Sequence, residues 1–259
     1  MLTIILPTYN EEDSLKYFIP EIIEGLKNEV FEILVVDDSS SDNTVKVVNQ
    51  FIEKNNNLKF IQRNKDRSLP LSIYEGIKNA NNKYVMWLDA DGSMDVDSIK
   101  LLINNLKNSN ETVFVGSRFV KEGGYKGKNI IHKFNFKEIY YQLVKSEDSL
   151  VAIYLSLIFN KILSFLLPIG VKDLTSGFIV GKKDYFYEEM FLGYTYGEYF
   201  INVISSLYKA NIEIQEVGYI CKPRKFGVSK TSTSIFRLFS LSKPYIKTSV
   251  KLKRELSGN

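Results

Sequence analysis

The chain has 259 residues, 44% of them hydrophobic and 25% charged, the make-up of a globular protein with a real core, long enough for one large domain or two small ones. A single cysteine, Cys221, excludes an internal disulfide, and a single histidine, His132, excludes a histidine-built zinc or catalytic cluster, so any metal here takes oxygen ligands. The net charge of +4 is unevenly spread: from Lys222 onward ten Lys or Arg face one acid, Glu255, a balance suited to phosphate or an anionic membrane, with no nucleic-acid motif beside it.

The N-terminus lacks the basic start and small-residue cleavage site of a signal peptide. Leu2 to Leu6 predicts a short buried strand stopped by Pro7, and Thr8-Tyr9-Asn10-Glu11-Glu12-Asp13 supplies turn and capping residues for a helix over Ser14 to Leu26. Phe31 to Val36 is a second strand, ending in Asp37-Asp38-Ser39, and an amphipathic helix carrying Val45, Val48, Phe51 and Ile52 follows. Leu58 to Gln62 is the third strand, then Arg63-Asn64-Lys65-Asp66-Arg67 and a helix near Leu71 to Ala80.

The fourth strand, Tyr84 to Leu88, ends abruptly in Asp89-Ala90-Asp91-Gly92, with a helix from Asp95 to Leu106 behind it. Two carboxylates one residue apart at a strand's C-terminal lip can hold a divalent cation that bridges to phosphate; alone, the same residues also suit a plain Asp-Gly turn. Thr112 to Val115 is a fifth strand, ending at Gly116-Ser117-Arg118. Strands alternating with helices predict an α/β fold, a mainly parallel sheet with helices on both faces. The polar clusters after strands one, two, four and five are expected to share one edge, where such sheets bind ligands. Neither the glycine fingerprint of a dinucleotide site nor a Walker lysine motif is present. Instead Tyr9 is placed to stack on a base, and Glu11 and Asp38 to accept hydrogen bonds from base or ribose.

In that order, Pro7-Thr8-Tyr9-Asn10-Glu11, Val35-Val36-Asp37-Asp38-Ser39, Asp89-Ala90-Asp91, Gly116-Ser117-Arg118, Asp173-Leu174-Thr175-Ser176-Gly177-Phe178 and Arg224-Lys225-Phe226-Gly227-Val228-Ser229-Lys230 resemble the motifs of family 2 glycosyltransferases of the GT-A fold, in particular the polyprenyl-phosphate sugar transferases of the dolichol-phosphate mannose synthase type. The resemblance covers most of residues 1 to 230. It implies that Pro7, Tyr9, Glu11, Val36, Asp38 and Ala90 line a nucleotide-sugar pocket, that Asp89 and Asp91 hold Mg2+ or Mn2+, and that Arg118, Ser176, Arg224 and Lys230 face donor or acceptor phosphate. It further implies inverting transfer of mannose or glucose from a GDP- or UDP-sugar to a polyprenyl phosphate. A hydroxyl acceptor on a glycan or lipid would need a base, for which Asp173 and Glu198 are the candidates; Glu198 serves equally as a helix cap. A nucleotide-sugar-binding protein without turnover is the third alternative.

Between Phe119 and Asp173 the resemblance fails. Ser156 and Asn160 keep a family spacing, but Ala152 stands where an arginine is expected, with Lys133, Lys137 and Lys145 as substitutes. Phe134, Phe136, Tyr140 and Tyr141 suit packing, and His132 has no assigned role. Leu150 to Leu167 is an almost continuous apolar helix, interrupted by Asn160 and Lys161 and shorter than the roughly 20 residues of a spanning helix. It lies on a membrane, packs in a partner interface or is buried. Residues 231–259 form a separate basic amphipathic segment, broken or kinked at Pro244, with Ile235, Leu238, Phe239 and Leu241 on one side and Lys243, Lys247, Lys251 and Arg254 on another. It binds a membrane or packs on the main domain. The expected setting is the cytoplasmic face of a membrane, with peripheral attachment.

Overall fold

A computed structural model describes residues 1–125, 128–129, 149–224 and 235–257, with side chains at 1–124, 156–224 and 242–257. Lys133, Lys137, Lys145, His132, the aromatic residues of 134–141, Ala152 and Lys230 lie outside the described side chains, as do Ile235, Leu238, Phe239 and Leu241.

The chain runs β1 (Leu2–Thr8), α1 (Glu12–Gly25), β2 (Phe31–Asp37), α2 (Thr44–Ile52), β3 (Leu58–Gln62), α3 (Leu69–Asn79), β4 (Tyr84–Trp87), α4 (Val96–Asn108) and β5 (Val113–Ser117). After the short strands β6 (Gly124–Tyr125) and β7 (Lys128–Asn129) come α5 (Ser149–Leu166), β8 (Ile179–Lys182), α6 (Tyr199–Lys209), β9 (Ile214–Gly218), β10 (Ile220–Cys221) and α7 (Ile235–Ser257). The main sheet has the order β3-β2-β1-β4-β8-β5-β9, and β10, β6 and β7 form a small second sheet. Every pairing in the main sheet is parallel except those of β8, which runs antiparallel to β4 and β5.

Both faces of the sheet are apolar, so strands such as β1 read as continuous hydrophobic runs. Ile4 and Leu6 pack with Leu15, Phe18, Ile22, Val48 and Leu102 from α1, α2 and α4. Ile5, Leu34, Val36 and Trp87 pack on the other face with Ile73 of α3, Leu163 of α5, Ile204 of α6 and Leu252 of α7.

Neither Pro7 nor Pro244 ends the element it lies in. Pro7 lies inside β1, opposite Val36 of β2. Its position faces the β4 side, where the ladder ends at Ile5 and Trp87, so the missing N–H costs no strand bond. Pro244 lies within an unbroken α7, which is held to the body by buried Thr248, Ser249 and Leu252 and by an ion pair from Lys209 to Glu255 at 2.6 Å. Packing along the helix offsets the lost backbone bond.

Candidate active site

A cleft of about 300 Å³ opens at the carboxyl ends of β1, β2 and β4, where open α/β sheets take their ligands. Its near wall starts with Pro7, Thr8 and Tyr9. Asn10 adopts φ 54°, a left-handed conformation that asparagine tolerates, and bonds across to the loop after β2: Asn10 N–H donates to Ser40 Oγ at 2.8 Å and Ser41 N–H to Asn10 Oδ1 at 2.8 Å. The two loops are thereby fastened together. Glu11 follows on the cleft wall, where its carboxylate accepts the Ser14 hydroxyl at 2.9 Å.

Asp38 lines one end of the cleft with Ser68, Leu69 and Ser72. Its Oδ1 pairs with buried Arg63, and its Oδ2 accepts the Ser68 N–H at 2.6 Å. Burial pushes the Asp38 carboxyl up, against the opposing pull of the Ser68 N–H and the Arg63 charge. With the Ser72 hydroxyl these bonds use three of about four lone-pair directions, so one remains for a ligand. The Arg67 guanidinium lies over the Tyr9 ring, 4.3 Å from its centroid. Arg63, Arg67 and Ser68 had no role in the sequence reading, which named the loop after the third strand without placing it at the site.

At the other end lie Asp89, Ala90 and Asp91. Gly92, at φ 73°, makes the turn that a side chain would strain. Asp91 is buried; its Oδ1 accepts the Ser93 N–H at 2.9 Å and its Oδ2 meets Arg224 Nε at 2.5 Å. Arg224 reaches this place because the chain after β10 is tied to the loop after β4, by Lys222 N–H to Ser93 O at 2.8 Å and by the Lys222–Asp95 ion pair. Removal from bulk water and the neighbouring Asp91 charge push the Asp89 carboxyl up to about 7, while Arg224 pulls it down.

Two hard oxygen donors that crowd each other's charge, one already drawing in a guanidinium, fit a divalent cation such as Mg2+ or Mn2+. Among the described residues no third His, Cys, Asp or Glu joins them. Such a cation would complete its shell with water and phosphate oxygens. Thr195 and Tyr196 close the cleft near Arg224. They come from a loop before α6 that carries no periodic signal and were not anticipated.

Five predicted residues, Val36, Arg118, Asp173, Ser176 and Glu198, are not among those lining the cleft. Val36 is fully buried in the core beneath α3 rather than on the cleft. Arg118 and Asp173 form a bidentate pair: Oδ2 accepts Arg118 Nε at 2.8 Å and Oδ1 accepts its Nη2 at 2.7 Å, while Oδ2 also takes the Arg118 backbone N–H at 2.9 Å. Thr175 links this pair to Asn160 of α5 through two bonds of 2.8 Å. The cluster after β5 lies at the same edge of the sheet, where the Arg118 charge acts on Asp89, but it does not itself line the cleft, since β8 stands between β5 and β4. Ser176 is buried, donating to Gly116 O and accepting Phe178 N–H at 3.3 Å. The Glu198 carboxylate accepts Thr195 N–H at 2.9 Å, Thr195 Oγ1 at 3.0 Å and Tyr196 N–H at 3.1 Å, folding the loop at the start of α6.

The fold has close counterparts among solved structures. Glucosyl-3-phosphoglycerate synthase from Mycobacterium tuberculosis, in complex with Mn2+, UDP and phosphoglyceric acid, superposes with a TM-score of 0.64 over 98% of this chain and 78% of that one, at 14% identity. The chain shares that synthase's fold, and its cleft opens at the Asp89–Asp91 lip of the sheet. Residues 3–189 match the model for glycosyl transferase family 2, and the chain belongs to that family. It is 31% identical over 149 residues to a dolichyl-phosphate beta-glucosyltransferase of Trichomonas vaginalis, covering 53% of this chain and 44% of that one. It is 34% identical over 122 residues to the dolichol-phosphate mannosyltransferase of Pyrococcus furiosus, covering 47% and 34%. Similarity to a poly-beta-1,6-N-acetyl-D-glucosamine synthase of Staphylococcus aureus is 36% over 106 residues, covering 41% and 25%. Each match spans less than half of the relative's own length.

Proposed function

We propose that the protein transfers a hexose, mannose or glucose, from a GDP- or UDP-sugar to a polyprenyl phosphate, with inversion and with a divalent metal. The observation that carries the acceptor class is the engagement of both candidate bases. Asp173 is spent on Arg118 and Glu198 on the Thr195–Tyr196 turn, and neither lines the cleft. A hydroxyl acceptor needs a base. A phosphate monoester does not, since by analogy with phosphoserine its second pKa is about 6 and it is already nucleophilic near neutrality. The likeness to dolichyl-phosphate transferases supports the same choice.

Within the cleft, Tyr9, backed by Arg67, would stack on the base and Asp38 would accept its hydrogen bonds. Asp89 and Asp91 would hold Mg2+ or Mn2+, which neutralises charge on the departing diphosphate. Arg224 brings a further positive charge to the same end. Attachment to an anionic membrane would be peripheral. No described helix is long and apolar enough to cross a bilayer, but α5 exposes Ile158, Ile162 and Phe165 along one stripe, and α7 exposes Lys243, Lys247, Lys251 and Arg254.

The test is transfer from a panel of UDP- and GDP-hexoses to short polyprenyl phosphates and to glycan and lipid hydroxyls, with metal or chelator. Transfer to phosphate is expected with metal only, falling at least ~100-fold in Asp91→Asn, the scale on which one group stabilising transition-state charge is felt. Undiminished transfer by that variant in chelator overturns the metal role. Exclusive transfer to hydroxyls overturns the acceptor.

A further inference from the structure

The cleft wall made by Thr195 and Tyr196 lies beyond residues 3–189, the stretch that matches the family. Three bonds to Glu198 fold this wall from within, and a residue remote in sequence backs it from behind. Tyr245 of α7 packs its hydroxyl directly on Gly197, so closely that a Cβ at 197 would overlap that oxygen and lie 3.2 Å from Cζ. The ring also packs on Phe159 of α5, edge to face with centroids 5.6 Å apart. Gly197 is therefore the place where α7 leans on the turn that carries Thr195 and Tyr196.

We infer that Tyr245 is a positioning residue for the end of the cleft that receives the sugar. Tyr196 lies near Arg224, whose Nε meets Asp91, so this wall borders the carboxylate end of the cleft. A wedge that sets its place sets the space left for the group attached to the diphosphate. On the donor-site proposal above, which this inference rests on, the wedge acts on the sugar and leaves the nucleoside alone.

The experiment measures binding of UDP, GDP, UDP-glucose and GDP-mannose, together with amide hydrogen exchange at Thr195 and Tyr196, whose N–H groups bond Glu198. Tyr245→Ala should weaken the cognate nucleotide sugar about tenfold, on the scale of one well-made contact, with the matching nucleoside diphosphate unchanged. Exchange at the two amides should quicken. Gly197→Ala should do the same by pushing Tyr245 back, and Gly197→Ala with Tyr245→Phe should recover, because phenylalanine lacks the overlapping oxygen. Lys209→Ala, which cuts another tie between α6 and α7, should change neither readout.

Failure of the double variant to recover overturns the wedge, as does an equal loss for nucleotide and nucleotide sugar. So does a Lys209→Ala effect matching Tyr245→Ala, which would assign the contact to helix docking alone. If the unaltered protein binds neither nucleotide, the donor proposal fails. The exchange rates then decide the wedge, and unchanged rates in Tyr245→Ala reject it.

Discussion

Asp173 has no exposed surface, and both of its oxygens are given to Arg118, itself only 11% exposed at the side chain. Breaking such a pair from one side strands a buried charge, which typically costs 3–5 kcal/mol. Asp173→Asn should therefore lower stability by about that amount in denaturant unfolding, and Asp173→Asn with Arg118→Met should recover part of it. A general base would behave otherwise, with activity lost at unchanged stability.

Glu32 poses the electrostatic question at the opposite end of the sheet. Burial penalises its carboxylate, yet Lys59, Thr3 and Asn81 outweigh that penalty and hold its pKa below the ordinary 4.5. A depressed carboxyl contributes stability that is present above the unfolded value and lost as pH falls through the folded one. Melting temperatures should accordingly drop below pH 4.5, and Glu32→Gln should shrink that drop while lowering stability at pH 7.

At this scale the sequence marked the cleft residues that follow directly from strand ends: Tyr9, Glu11, Asp38, Asp89 and Asp91. Val36 was misplaced because its side chain points beneath α3, two residues short of the loop that the motif marks. Arg67, Thr195 and Tyr196 went unseen because loop geometry brings them in, and no residue spacing announces it.

Among the elements, α5 departs furthest from an ordinary buried helix. Leu163 and Asn160 face inward, while Ile158, Ile162 and Phe165 lie 55%, 47% and 84% exposed at near-helical spacing, with Lys161 among them. A three-residue apolar stripe beside cationic side chains suits the boundary between lipid headgroups and acyl chains. Phe165→Glu with Ile162→Asp should abolish co-sedimentation with anionic vesicles and leave nucleotide binding intact. Raising salt should weaken the unaltered protein's binding without eliminating it, since part of the attraction is apolar. The helix itself was legible from its run of apolar residues. Which of its faces stays uncovered was not, because that depends on where α7 and the main sheet meet it. The continuity of α7 through Pro244 was likewise a matter of tertiary packing, which residue propensity does not encode.

For the molecule as a whole, the alternation of strands and helices through residue 118 was enough to predict a largely parallel sheet. The insertion of β8 between β4 and β5 was not predictable, since neighbours in a sheet need not be neighbours in the chain. That insertion also orders the events of folding. Strands β1 to β4 can pair with one another as soon as they have been made, but β5 finds partners only in β8 and β9. Until residues 179–182 emerge during synthesis, β4 keeps an open outer edge and β5 has neither neighbour. Unpaired edges of this kind recruit other chains, and pairings this distant in sequence form slowly. The stretch from 119 to 178 thus acts as a delay line in biosynthesis: its length sets how long a half-built sheet stays open to aggregation.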